Sequence, residues 1–140
     1  MAHACVTKAA QAPVVKRGDG VETTLLIGKE LCATARVTTG ITRFPAGKKV
    51  PFHSHNCDEQ VCILEGEALV EVEGQEPTTV ARNDMTYVPK GRSHRFVNTG
   101  KGPLVILWIY DTDHVTRTFT ESGETVEHLS QADLVSLDAR

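Results

Sequence analysis

Two histidines and a glutamate lie close together in the sequence and could bind one metal ion. His53 and His55 are two residues apart, and Glu59 follows after the short stretch 56–58. On a β-strand, side chains two positions apart point to the same face, so both imidazoles can reach a single ion. A bend at 56–58 can fold the Glu59 carboxylate back over the two rings. With His94, which follows a later turn, three imidazoles and one carboxylate form a convincing ligand set for a first-row divalent metal.

The chemistry available to such a site depends on how many positions the ion keeps free. Four protein ligands nearly saturate a tetrahedral zinc ion, whereas an octahedral ion retains two positions for substrate or dioxygen. The ligand types therefore favour one Fe(II), Mn(II) or Ni(II) ion per chain, with Zn(II) as an alternative. One carboxylate leaves a formal charge of +1 on the site, so we expect an anionic enolate or carboxylate substrate, with Glu59 and His94 as catalytic residues as well as ligands.

Two short motifs around these residues resemble those of the cupins. The first cupin motif is matched at every fixed position, by Gly47, His53, His55, Glu59 and Gly66. The companion motif is matched by Pro89, Gly91, His94 and Asn98, and it departs once, with Asn83 where the family usually has glycine. Asparagine tolerates a positive φ better than other non-glycine residues, so we expect the turn to form. The chain thus resembles a small single-domain cupin of the RmlC-like jelly-roll superfamily.

This resemblance implies a fold and a ligand set, but it leaves the reaction open. It implies a double-stranded β-helix in which His53, His55, Glu59 and His94 are the metal ligands. Cupins include dioxygenases, lyases, isomerases, cyclases and binding proteins without catalysis. We expect first a dioxygenase acting on a small organic molecule. The alternatives are a non-oxidative lyase, isomerase or cyclase, and a non-catalytic ligand-binding or sensor protein.

The elements that must position these residues are short strands separated by turn residues. Alternating or continuous apolar runs predict nine of them: Val21–Ile27, 33–44, 59–64, 68–73, Thr78–Ala81, Met85–Val88, His94–Asn98, Leu104–Tyr110 and 115–120. This pattern predicts an all-β jelly-roll barrel over residues 21–128, preceded by an N-terminal arm at 1–20. Residues 129–140 are predicted to form a short helical or irregular tail, with the helical pattern at 130–139 and Ser130 as a possible N-cap.

A substrate pocket beside the metal is predicted from a few aromatic and cationic residues. Arg43 interrupts an apolar strand just before the histidine pair and could bind a carboxylate. Four aromatic residues are further candidates for the pocket, although core strands need such side chains for packing anyway: Tyr87, Phe96, Trp108 and Tyr110. The remaining histidines, His3, His114 and His128, are interpreted as ordinary half-buried polar residues.

The charge and apolar content of the chain limit the kinds of partner that it can bind. The 140 residues carry a net charge of −3 with scattered lysine and arginine, so we expect no nucleic-acid partner. No apolar stretch is long enough for a membrane helix, and the N-terminal residues lack a secretory pattern, so we expect a cytoplasmic protein with its four cysteines reduced. The continuous apolar run 104–109 needs cover on both faces, which predicts a homodimer.

Overall fold

The computed structural model describes residues 2–134, and the regular secondary structure of this part of the chain is almost entirely β-strand, as the sequence predicts. Its twelve strands are β1 (Val14–Gly18), β2 (Val21–Ile27), β3 (Thr38–Phe44), β4 (His53–His55), β5 (Glu59–Glu65), β6 (Glu67–Val72), β7 (Thr78–Ala81), β8 (Met85–Val88), β9 (His94–Asn98), β10 (Leu104–Tyr110), β11 (Thr116–Phe119) and β12 (Thr125–Glu127). A 3-10 turn at Ala9–Gln11 precedes them.

The strands form two antiparallel six-stranded sheets. The strand order is β1-β2-β3-β10-β5-β8 in one sheet and β12-β11-β4-β9-β6-β7 in the other. Most connections cross from one sheet to the other, which is the topology of a double-stranded β-helix. The inward-facing side chains of both sheets form one apolar core, with Phe44, Ile63 and Leu104 among its most deeply buried members. The jelly-roll prediction is therefore confirmed.

Strand β10 shows how the alternation of side chains builds the barrel wall. Leu104, Ile106, Trp108 and Tyr110 point inward and are buried, while the residues between them are only half-buried. Gly40 lies opposite Trp108 in β3, and a Cβ atom at this position would collide with the indole ring. A side chain at position 40 would thus exclude the aromatic residue from the interior. The half-buried outer face of β10 still motivates the homodimer, which stays a prediction.

The turns that carry the second motif have the expected geometry. Asn83 has a φ of 76° and Gly91 a φ of 78°, both in the left-handed region that the sequence predicted for Asn83. Asn98 is fully buried, and its side-chain amide donates hydrogen bonds to the backbone carbonyls of Phe44, Pro45 and Gly102. These three bonds tie the end of β9 to the loops at its side of the barrel, which fixes the strand that begins with His94.

The termini differ from the sequence-based expectation. The predicted N-terminal arm contains a real strand, β1, which pairs with β2 and extends the first sheet. The strand predicted at 33–44 begins only at Thr38, because the backbone around residues 28–35 forms hydrogen-bonded turns instead. At the C-terminus, residues 130–134 form turns and the rest of the predicted helix lies outside the described residues. No helix within residues 2–134 is long and apolar enough to cross a membrane.

One prediction about the cysteines is wrong. Cys5 and Cys32 form a disulfide, which fastens the N-terminal arm to the turn after β2. The two residues are 27 positions apart with no local pattern linking them, so sequence spacing could not pair them. Cys57 and Cys62 remain free, and Cys62 lies on the outer side of β5 because it is three positions after the inward-facing Glu59. Burial raises the pKa of the Cys57 thiol to about 12, which makes it an inert packing residue.

Candidate metal centre

Three strands bring the four predicted ligands together inside the barrel. Strand β4 carries His53 and His55 on its inner face, Glu59 begins β5, and His94 begins β9 directly opposite His53. All four side chains are buried. The Glu59 Oε2 atom lies 3.3 Å from His55 Nε2 and 3.2 Å from His94 Nε2. The ring centroid of His53 lies 4.9 Å from that of His55 and 4.6 Å from that of His94.

Backbone carbonyls fix the orientation of all three imidazole rings. The Nδ1–H group of His53 donates to the carbonyl of Pro51 at 2.7 Å. That of His55 donates to Thr116 at 3.1 Å, and that of His94 donates to Arg92 at 2.8 Å. A proton on Nδ1 leaves the lone pair on Nε2, which is the tautomer that metal-binding histidines use. The protein therefore presents three Nε2 atoms and one carboxylate to a common centre.

The charges in the cluster also favour a cation. Burial lowers the pKa of His53 and His55, so both rings are neutral. Burial alone would raise the pKa of Glu59, but the neighbouring His94 and His55 outweigh it and lower that pKa well below its usual range. For His94, burial is likewise outweighed by the Glu59 carboxylate, which raises its pKa. The negative charge of Glu59 beside the neutral rings of His53 and His55 therefore favours a cation at this point.

The cluster fits a metal site on the evidence of its donor atoms. One ligand atom from each of the four residues lies within 4.8 Å of every other, a spacing suited to a shared ion. The Oε1 atom of Glu59 is buried and has no hydrogen-bond partner within residues 2–134. An unpartnered carboxylate oxygen in the interior is costly unless a cation binds it.

Three of the four ligands, His53, Glu59 and His94, line a small interior cavity of about 30 Å³, which is room for about one water molecule. Three of the predicted pocket residues, Phe96, Trp108 and Tyr110, line this cavity together with the ligands. The Tyr110 hydroxyl group donates a hydrogen bond of 3.2 Å to His55 Nε2. The indole of Trp108 stacks on the Tyr110 ring and donates through Nε1 to Thr42.

The other two predicted pocket residues lie outside this cavity. Arg43 alternates with the inward-facing Thr42 and Phe44 of β3, so its side chain is exposed on the outer face. Tyr87 is 60 % exposed, and its hydroxyl group donates to the half-buried Asp58 at 2.6 Å. In both cases the strand alternation places the side chain on the solvent side of the sheet.

Among the titratable residues of the cavity wall, sequence reasoning missed Arg17, Arg117 and His128. Arg117 could have been found, because it shares the inward face of β11 with Phe119 and pairs across the sheet with His55. Arg17 gave no such signal, since it lies on β1, a strand that the sequence did not predict. His128 is half-buried, as expected, but its ring also packs at 5.1 Å against Trp108 and at 5.3 Å against Tyr110.

Comparisons with known proteins agree with this geometry. The cupin domain family matches residues 40–110, which include all four candidate ligands. Among solved structures, an RmlC-like cupin from Shewanella frigidimarina has a TM-score of 0.66 at 17 % identity and covers 79 % of this chain and 92 % of its own. A predicted oxalate decarboxylase from Thermotoga maritima has a TM-score of 0.65 at 23 % identity and covers 77 % and 99 %. At these identities the likeness is one of fold.

A curated relative is also similar in sequence. The dimethylsulfoniopropionate lyase DddQ of Ruegeria pomeroyi is 37 % identical over 73 residues. The matched segment spans 52 % of this chain but only 36 % of the lyase. The similarity therefore concerns a part of that protein, and its whole activity does not follow from it.

Proposed function

The chain belongs to the cupin domain family, and from that premise we propose that it is a metal-dependent enzyme for a small organic molecule bearing a carboxylate or enolate. The observation that carries this proposal is the buried cluster of three Nε2 atoms and one carboxylate at the wall of an interior cavity. A divalent ion held by His53, His55, Glu59 and His94 would supply Lewis-acid chemistry. With one carboxylate among its ligands, the site would have a formal charge of +1, which favours an anionic substrate.

The chain's own residues would orient the substrate and control protons around this centre. Hydrogen bonds to backbone carbonyls hold the three imidazole rings in position before a metal ion binds. This lowers the free-energy cost of metal binding. The walls formed by Phe96 and Trp108 exclude bulk water from the cavity. The Tyr110 hydroxyl group lies beside His55, and burial raises its pKa, so it stays protonated and is placed to give a proton to a reacting group.

Two observations support a non-oxidative lyase as the first reaction class. The Tyr110 hydroxyl group provides an acid–base group inside the cavity, and the relative that is 37 % identical is a lyase. The dioxygenase expected from the sequence is the second candidate. It is favoured by the ligand set, because four protein ligands leave two positions of an octahedral ion for substrate and dioxygen.

The test is turnover with and without oxygen. Protein loaded separately with Mn(II), Fe(II), Ni(II) or Zn(II) is incubated with dimethylsulfoniopropionate, oxalate and a panel of small carboxylic acids. Products are followed by NMR and oxygen by electrode. Turnover under nitrogen supports the lyase, while turnover that requires oxygen uptake supports the dioxygenase. Binding of these acids without turnover in any metal form would overturn both and support a ligand-binding protein.

Tyr110→Phe is a matched variant for the same assay. It removes one hydroxyl group from the cavity and leaves the ring in place. If the hydroxyl group moves a proton in the reaction, turnover falls by about a hundredfold or more while metal content is unchanged. Unchanged turnover would exclude Tyr110 from the chemistry.

A further inference from the structure

A second cluster of charged side chains lies inside the barrel beside the metal centre. It consists of Arg17 from β1, Arg117 from β11 and Asp133 from the segment after β12, and we call it the arginine cluster. Arg17 contacts both carboxylate oxygens of Asp133 through Nη1 and Nη2 at 3.3 Å, and Arg117 donates to Oδ1 at 3.0 Å. The three residues are at most 5 % exposed.

Two features of the chain aim both arginines at the interior. In β1 the side chains alternate, so Arg17 shares the inward side with Val15 while Val14 and Lys16 are exposed. Arg117 lies opposite His55 in the β4–β11 pair, and cross-strand partners point to the same face. As a result, both guanidinium groups line the same cavity as His53 and Glu59.

The arginine cluster contains one more positive charge than it can neutralise. Two guanidinium groups share one carboxylate, and the Nε atoms of Arg17 and Arg117 are buried without a hydrogen-bond partner in the described part of the chain. Burial, followed by repulsion from Arg117, lowers the pKa of Arg17 to about 10, so it is still charged at neutral pH. An uncompensated buried charge is strongly destabilising, and an anion would relieve it.

The segment that supplies Asp133 also separates the cavity from the surface. We define the C-terminal segment as residues 128–134. His128 lines the interior cavity, and it also lines a surface cleft of about 420 Å³ together with Leu129 and Ser130. A cleft of this volume is large enough for a small organic ligand. Displacement of the C-terminal segment would therefore connect the cleft with the cavity and free both arginines.

We propose that Arg17 and Arg117 form a carboxylate-binding site inside the barrel, and that the carboxylate of Asp133 occupies it until a ligand carboxylate displaces it. Asp133 is held as an arginine pair holds a small carboxylate, with bonds from both guanidinium groups. The inference rests on the proposed function for the ligand class and assigns the role of carboxylate anchor to these two arginines instead of Arg43. Substrates would thus carry a carboxylate group in addition to the group at the metal centre.

The proposal is tested by acetate binding to metal-free protein, measured by isothermal titration calorimetry. Without metal, a carboxylate cannot bind by coordination, so the arginine site is tested even if the proposed enzyme activity is wrong. Asp133→Asn keeps the shape of the side chain and removes its charge, and with it the internal competitor. We expect it to bind acetate at least about tenfold more tightly than the wild type, because a larger fraction of the protein is competent to bind.

The matched control is Asp113→Asn, which removes the same charge from the exposed rim of the cleft. We expect it to bind acetate within about twofold of the wild type, since exposed charges act weakly over distance. Equal acetate affinity in Asp133→Asn, Asp113→Asn and wild type would overturn the proposal and leave the arginine cluster with a purely structural role.

Hydrogen exchange on the wild type keeps the proposal testable if Asp133→Asn does not fold. The backbone N–H of Leu129 donates to Asp133 Oδ2 at 2.8 Å, so its exchange reports on the docked segment. We expect saturating acetate to accelerate exchange in residues 128–134 several-fold relative to chloride at equal ionic strength. Unchanged or slower exchange would show that acetate does not displace the segment and would contradict the proposal.

Discussion

The barrel interior contains two buried polar clusters that differ in how their charges are balanced. In the metal centre, His53, His55, Glu59 and His94 direct lone pairs at a common point and offer the negative charge of Glu59 to a cation. The arginine cluster directs N–H donors at Asp133, a carboxylate of its own, and keeps one positive charge in excess. The first cluster is thus built to bind a cation. The second is partly satisfied by the chain itself and can exchange that partner for another anion.

The largest predicted difference between the two clusters is the effect of a substitution on metal affinity. His55→Ala removes one of the four metal-binding side chains, and we expect the affinity for Mn(II) or Zn(II) to fall by at least about a hundredfold. This loss is larger than that caused by removing a residue that only orients a metal ligand. His114→Ala is the matched control, because His114 is exposed and bonds to Glu127 at the surface. Affinity is measured by competition with a fluorescent chelator, and circular dichroism checks the fold. Equal affinities in the two variants would show that His55 is not a ligand.

The next effect concerns the stability that the arginine cluster provides. Asp133→Asn leaves two buried guanidinium groups without an anion, so we expect the free energy of unfolding to fall by about 3 kcal/mol. Glu71→Gln serves as the comparison, because the Glu71–Arg95 pair of 3.0 Å is partly exposed and its loss costs less than about 1 kcal/mol. Urea denaturation measures both. A smaller loss for Asp133→Asn than for Glu71→Gln would contradict this account of the cluster.

A smaller effect on stability is expected when the pH is lowered. Burial opposes ionisation of Asp133, but Arg117 and Arg17 outweigh it and lower its pKa from 3.8 to about 2 in the folded protein. A carboxyl group whose pKa is lower in the folded than in the unfolded protein stabilises the fold at pH values above the unfolded pKa. This contribution disappears as the pH falls from about 4 through 2. The wild type should therefore lose about 2 kcal/mol of its advantage over Asp133→Asn between about pH 5 and pH 2. Denaturant midpoints of both proteins at several pH values measure this loss. A difference in stability between wild type and Asp133→Asn that does not change with pH would show that the Asp133 carboxylate is not paired with the two arginines.

The smallest effects are expected on the outer surface. Arg43→Ala and Tyr87→Phe change exposed side chains of β3 and β8 that do not reach the cavity. We expect each to alter the free energy of unfolding by less than about 0.5 kcal/mol and substrate turnover by less than about twofold. A large loss of turnover in either variant would mean that substrate binds on the outer face of the first sheet.

Local spacing made the metal centre predictable from the sequence, whereas contacts distant in sequence hid the arginine cluster. His53 and His55 lie on one three-residue strand. Glu59 and His94 each begin a strand that is preceded by residues typical of turns. By contrast, Arg17 and Asp133 are 116 positions apart, and Arg17 lies on an edge strand that the sequence did not predict. No pattern within a short window could connect them.

The same distinction explains which strands were predicted. Five strands have the predicted bounds, because their alternation or apolar character is continuous: Val21–Ile27, Thr78–Ala81, Met85–Val88, His94–Asn98 and Leu104–Tyr110. The three-residue strands β4 and β12 were not among the nine predicted strands, since a stretch so short has no measurable period. Strand β1 was missed because only its first two residues, Val14 and Val15, are apolar, and it continues with Lys16, Arg17 and Gly18.

The central claim is that the interior cluster of His53, His55, Glu59 and His94 binds a metal ion. Elemental analysis of wild-type protein purified without added metal tests it most directly, followed by titration of chelator-treated protein with Mn(II), Fe(II), Ni(II) and Zn(II). We predict about one divalent ion per chain after purification or on titration, because three oriented Nε2 atoms and a buried carboxylate converge on one point. Protein that carries no metal and takes up none of the four ions would contradict the claim.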